Sequence, residues 1–116
     1  MRIRRIVPDL HGDPAAARDF YENVVGLESS MDLGWIVGFV SPSNETAQLQ
    51  VLSDDATAPV APDVSIEVDD VDAVHEKAVE RGCEVVHPLT DEPWGVRRFF
   101  VRDPTGTVVN IMQHSE

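Results

Sequence analysis

Residues 97–114 read RRFFVRDPTGTVVNIMQH, two strands joined by a tight turn. Phe99, Phe100 and Val101 lead in, and Thr107, Val108, Val109, Ile111 and Met112 lead out. Between them Pro104 pre-sets a turn φ, Asp103 can bond its own backbone just downstream, and Gly106 can take a positive φ. Flanked by β-branched and aromatic runs, this pattern predicts a hairpin. Alternation on the second strand puts Asn110, Met112 and His114 on one face and Val109, Ile111 and Gln113 on the other. A polar set on one side of an apolar strand implies either a solvent face or a pocket wall.

Upstream of the hairpin, residues 88–95 form a loop around Trp94, and residues 83–87 read as a short strand. Gly82 ends a helix that Asp69-Asp70 caps, with Val71, Val74, Ala78 and Val79 on its apolar face. Val64, Ile66 and Val68 alternate with Ser65 and Glu67, a half-buried strand. Residues 53–62 are polar with two prolines and read as a linker. Before it, residues 47–52 alternate, with Gln48 and Gln50 on one face and Leu49 and Val51 on the other. Residues 41–44 are a turn, residues 35–40 a strand, and residues 27–30 open another. Asp13-Pro14 starts a helix with Ala17, Phe20, Tyr21 and Val24 at amphipathic spacing, and Gly26 stops it. Residues 3–10 are a first strand.

The two halves repeat. Asp13 to Asp69 and Gly26 to Gly82 are both steps of 56 residues. Each half is a strand, a capped helix, a glycine stop and about three strands. Neither module, about 1–56 and 60–116, has enough apolar surface to stand alone, so the two are expected to pack as one domain. Strands and helices in this order, with connections too short for a parallel α/β sheet, predict an α+β fold.

Composition narrows the function classes. The chain has 116 residues, 42% hydrophobic and 26% charged, which argues against disorder. A formal net charge of -12 disfavours nucleic acid and anionic membranes as partners. The single Cys83 excludes an internal disulfide and a multi-cysteine zinc site, and it reads as a small buried hydrophobe. No leader and no membrane-length apolar run is evident, so the expectation is a soluble, cytoplasmic protein.

Three segments carry a resemblance. Residues 13–27 (DPAAARDFYENVVGL), residues 68–82 around the second helix, and residues 93–111 (PWGVRRFFVRDPTGTVVNI) resemble the vicinal oxygen chelate superfamily. That superfamily includes glyoxalase I, extradiol dioxygenases, fosfomycin-resistance proteins and bleomycin-resistance proteins. The resemblance implies paired βαβββ modules forming curled, mainly antiparallel sheets around an open cavity, usually in a homodimer. Metal-using members place four ligands on four strands. Carried onto this sequence, those places fall at Ile6 or Arg5, at Gln50, at Asp63 and at Asn110. Ile6 and Arg5 cannot bind a metal at neutral pH, and one carboxylate with two amides makes a weak site. No metal residues are assigned, and the expected cofactor is none, or at most a weakly held divalent metal.

The candidate ligand-binding residues are Trp35, Phe39, Gln50, Asp63, Trp94, Arg97, Asn110, Met112 and His114. Trp94 reads either as a lid on the core edge or as an aromatic pocket wall. Trp35 and Phe39 read either as core or as pocket lining. Arg97 and Arg98 point to opposite faces, and one of them is a candidate anion clamp. His114 is either a solvent-exposed tail residue or a pocket residue suited to general-base work. His75 and His87 read as structural. No catalytic residue is assigned. Two functions follow. One is a metal-free binder, in the manner of bleomycin-resistance proteins, that sequesters an antibiotic or aromatic metabolite. The other is a glyoxalase-like lyase or isomerase using polar pocket groups, with or without a weakly bound metal.

Overall fold

The computed structural model describes residues 2–115. Its elements are β1 (Ile3–His11), α1 (Pro14–Asp19), β2 (Glu28–Asp32), β3 (Ile36–Val40), β4 (Gln48–Leu52), β5 (Val64–Val68), α2 (Val71–Glu80), β6 (Val85–Glu92), β7 (Val96–Arg102) and β8 (Val108–His114). The order is βαβββ twice, the α+β arrangement that the repeat predicts. Two compact units result: Val7–Ala61, and residues 62–115 together with 2–6. The boundary at Ala61 falls at the end of the Pro-containing stretch.

In the first unit the strands lie in the order β2-β3-β4-β1. β3 runs antiparallel to β2 and β4, and β4 runs parallel to β1. Val37, Phe39 and Val51 form the core, against Ala17, Tyr21, Leu27 and Leu49. Asp13 caps α1, its carboxylate accepting from the Ala15 N–H at 3.0 Å. Beyond Asp19 the helix widens into a π-helical turn, Phe20–Val25, closed by Gly26 at φ 93°. That widening corrects the regular helix expected from the sequence. Inserting i→i+5 geometry rotates the following residues, so Ala17 and Tyr21 face the core while Phe20 and Val24 are exposed.

In the second unit the order is β5-β8-β7-β6, with the start of β1 beside β5. β5 and β8 are parallel, and β6, β7 and β8 are antiparallel. The hairpin forms as predicted. Asp103 Oδ1 accepts from the Thr105 N–H at 2.8 Å and the Thr107 N–H at 3.0 Å, and Gly106 takes φ 93°. Those hydrogen bonds hold the Asp103 carboxyl below the usual range, the Thr105 side chain contributing most. α2 covers one face, where Val68, Val71, Phe99 and Ile111 are buried with Ile66, Val74 and Ala78 around them. Burying Phe99 completely contributes roughly 1.5–3 kcal/mol.

Three local expectations are corrected here. The cap of α2 is Asp70, which accepts from the Ala73 N–H, while Asp69 accepts from the Arg2 N–H instead. β6 runs on through Pro88 rather than ending at His87, because it is an edge strand whose pairing to β7 is interrupted by bulges on both sides of His87. Cys83 is exposed, since it follows Gly82 outside the strand. No helix among the described residues is long and apolar enough to cross a membrane.

Candidate functional site

The hairpin register decides which side chains meet on the sheet face away from α2. Asn110 stands opposite both Ser65 and Phe100, and Met112 stands opposite both Glu67 and Arg98. Phe100 in turn stands opposite His87. Paired residues point to the same side of a sheet. One face of the second unit therefore carries Ser65, Glu67, Asn110, Met112, Arg98, Phe100 and His87. Ser65, Asn110, Arg98 and His87 are nevertheless buried. Polar groups withdrawn from water are costly unless paired, so each partner matters.

At the centre Asn110 Nδ2 donates to Ser65 Oγ at 3.0 Å. Asn110 is 7% exposed, and its Oδ1 has no hydrogen-bond partner among the described residues. A buried acceptor without a donor costs about 1–3 kcal/mol, and it is available to any N–H or O–H brought against it. Further along the face, Arg98 Nε donates to Glu92 Oε2 at 2.7 Å, and a second guanidinium nitrogen lies 2.6 Å from the same oxygen. The Arg98 guanidinium also lies 4.9 Å from the Trp94 ring centre and 4.7 Å from that of Phe100. Aromatic faces on a buried cation offset part of its desolvation. His87 lies alongside Phe100, donates from Nδ1 to the Pro88 carbonyl at 2.8 Å, and holds Nε2 3.7 Å from Glu92 Oε2.

The rim of this face is ionic. Glu67 accepts from Arg5 Nε at 2.5 Å on one oxygen and from His114 Nδ1 at 3.0 Å on the other. Burial pushes the Glu67 carboxyl up, but the hydrogen bonds from His114 and Arg5 outweigh it and hold the group below the usual carboxylate range. His114 does not fray: it pairs with Val96, and the Ser115 N–H donates to the Gly95 carbonyl at 2.8 Å. It lines two neighbouring clefts. One, of about 350 Å³, has Arg4, Glu67, Asp69 and Gln113 in its walls, and the other, of about 420 Å³, has Asp72, Arg97 and Gln113.

The sequence-derived candidates separate. Asn110, Met112 and His114 share a face as predicted, and Trp94 is half-buried on Arg98. Arg97 points the other way, toward α2, where it bonds Asp72 at 2.9 Å and Asp91 at 3.2 Å. The arginine on the Asn110 face is Arg98. Asp63 is exposed and accepts from the Val108 N–H at 3.0 Å. In the first unit Phe39 is fully buried against Tyr21 and belongs to the core, not to an open wall. Trp35 is half-buried just before β3. Gln50 donates to Asp9 Oδ1 at 3.0 Å. The buried Asp9 and Glu92 were missed, whereas Arg98 was weighed beside Arg97 as the candidate anion clamp. Inward alternation could have flagged Asp9, which falls two residues after the buried Val7.

The four places that the resemblance reserves for a metal do not fit one. Ile6 is 59% exposed and apolar. Arg5, the alternative, is a cation engaged with Glu67. Gln50 turns its N–H toward Asp9, Asp63 holds a backbone N–H, and Asn110 is a neutral amide. Among the described residues no group of three or more His, Cys, Asp or Glu side chains could hold a metal ion. A divalent transition metal needs imidazole, carboxylate or thiolate donors converging.

Comparison with known proteins agrees with the fold. The sequence profile of the Glyoxalase/Bleomycin resistance protein/Dioxygenase superfamily matches residues 10–111. A Mycobacterium bovis protein named as a glyoxylase, CFP32, is 31% identical over an alignment of 114 positions that covers 87% of this chain. The chain spans 41% of that relative's length. A superfamily member from Vibrio splendidus superimposes with a TM-score of 0.71 at 17% identity, covering 97% of this chain and 99% of its own. The Mn(II)-bound glyoxalase of Novosphingobium aromaticivorans superimposes with a TM-score of 0.65 at 23% identity, covering 96% of this chain and 38% of its own.

Proposed function

The chain belongs to the Glyoxalase/Bleomycin resistance protein/Dioxygenase superfamily, and from that premise we propose that it is a metal-free small-molecule-binding protein. Its binding wall is the polar face of the second unit, and its ligand is an antibiotic or aromatic metabolite that the protein sequesters. The observation that carries this reading is the buried Asn110 Oδ1 beside Ser65, unpartnered among the described residues. A ligand N–H or O–H supplies the missing donor. The half-buried Trp94 ring, stacked on the Arg98 guanidinium, gives the edge of the same face a π surface suited to an aromatic ring, while Phe100 and Met112 are buried. Neutral amides at two of the metal positions favour a neutral or partly cationic ligand over a polyanion. The protein acts as a single-domain homodimer in the cytoplasm, its exposed strand edges covered in a two-fold interface.

A thermal-shift screen against bleomycin-type glycopeptides and aromatic metabolites tests this reading. A ligand at a hundred times its Kd stabilises the native state by about 2.7 kcal/mol, and Asn110→Ala should weaken that gain. Stoichiometric zinc, nickel, manganese or iron surviving dialysis of the purified protein contradicts the metal-free claim. Light scattering that returns a monomer mass contradicts the dimer. A second reading, an isomerase or lyase using polar groups, draws on one specific observation, the Glu67–His114 pair in its cleft.

A further inference from the structure

We propose that His114 is a general base, oriented by Glu67, and that the cleft at the end of β8 is a proton-transfer site for a small 2-oxo acid. A carboxylate can only accept, so the 3.0 Å contact to Glu67 Oε2 puts the proton of a neutral His114 on Nδ1. Nε2 is then left with its lone pair, the state a base requires. Glu67 cannot swing away, because Arg5 grips its other oxygen at 2.5 Å. The backbone is fixed as well, by the pairing of His114 with Val96 and the Ser115–Gly95 hydrogen bond. A base on a rigid strand, backed by a clamped carboxylate, is the arrangement general-base catalysis uses.

The rest of the cleft supplies what the substrate needs. Gln113 Oε1 is occupied by the Val71 N–H at 2.9 Å, so the amide is oriented with its N–H₂ as the remaining donor. Gln113 and His114 line the same cleft. Arg4 in its wall is an exposed cation suited to a carboxylate, while Asp69, also in the wall, is engaged by the Arg2 N–H. The volume of about 350 Å³ suits a small molecule. In the step itself, His114 Nε2 takes a proton from the carbon next to the ketone. The C–H pair becomes the C=C bond, and the carbonyl π pair moves to oxygen, where the Gln113 N–H stabilises the enolate. Return of the proton from Nε2 to carbon restores the ketone. Nothing is oxidised or reduced, and no metal takes part.

The proposal goes beyond the binding reading, and the two fail separately: an unsuccessful ligand screen leaves proton transfer intact, and the reverse. The test follows exchange of the C3 protons of 2-oxobutyrate in D₂O by proton NMR, against a control with free imidazole at the protein's concentration. Wild-type protein should exceed the control at least tenfold. His114→Gln should lose about a hundredfold of the catalysed rate, and Glu67→Gln should lower it with KM little changed. Wild-type exchange no faster than His114→Gln overturns the proposal. A second readout is independent of the probe: long-range ¹⁵N–¹H spectra should show His114 as the Nδ1–H tautomer, shifting toward Nε2–H in Glu67→Gln. A dominant Nε2–H form in the wild type also overturns it.

Discussion

Arg98 and Phe99 are neighbours in the chain and face opposite sides of one sheet. Phe99 points into the apolar layer under α2, with Val68, Val71 and Ile111. Arg98 points to the other side, where it meets Glu92, Trp94 and Phe100. Both are buried. The helix-covered face is explained by stability alone, because every side chain there gains by leaving water. The opposite face is harder to justify on stability. A buried ion pair seldom outperforms a well-packed apolar pair, and Asn110 Oδ1 gains nothing from being where it is. Chemistry retained against folding stability is what a binding surface leaves in a fold.

The largest effect should come from the apolar side. Phe99→Ala opens a cavity beneath α2 and should lower unfolding free energy by about 3–5 kcal/mol in a urea titration, with little effect on ligand affinity. On the polar side, Arg98→Met removes the guanidinium from the buried Glu92 carboxylate and should cost roughly 3 kcal/mol. Adding Glu92→Leu should recover most of that loss, so the double variant is more stable than the single one. Non-recovery would place the cost in lost packing on Trp94 rather than in the broken ion pair. Smaller again, Ser65→Ala removes the acceptor of the Asn110 amide and should cost about 1–3 kcal/mol. Ser65→Ala with Asn110→Leu should be near neutral, while abolishing ligand-induced stabilisation.

The smallest effect is on pH. The folded-state pKa of Glu67 is depressed, so its contribution is complete above the ordinary Glu range and is lost as pH falls through the depressed value. Glu67→Gln should therefore lower stability modestly at neutral and alkaline pH and flatten the acid limb, the two profiles converging at low pH where Glu67 is protonated. An acid limb identical to wild type would show that the His114 and Arg5 contacts do not persist in solution.

How much of this was legible in the sequence depends on the range of the interaction that decides each feature. The hairpin was readable because Asp103, Pro104 and Gly106 act within a few residues of themselves. Both βαβββ halves were readable from caps and glycine stops, which are local too. The π turn after Asp19 was hidden: a helical period in Ala17, Phe20, Tyr21 and Val24 looks the same whether or not one residue is added to the turn. Pro88 looked like a strand end because its tolerance depends on lying at a sheet edge, which only topology decides. In the candidate site, the facing of Asn110, Met112 and His114 followed from alternation. Choosing Arg98 over Arg97 required the partners, since Asp72 and Asp91 draw Arg97 to the helix side. The Glu67–His114 contact joins residues 47 positions apart and had no signal of its own.

The central claim, that the two faces of the second unit divide stability from binding, is tested most directly by NMR. Side-chain amide and methyl resonances would be followed while a thermal-shift hit is titrated into the protein. The Asn110 side-chain amide and the Met112 methyl should shift in a saturable way, with Val71 and Ile111 methyls unmoved. Saturable shifts confined to the α2-covered residues, with Asn110 unmoved, would contradict it.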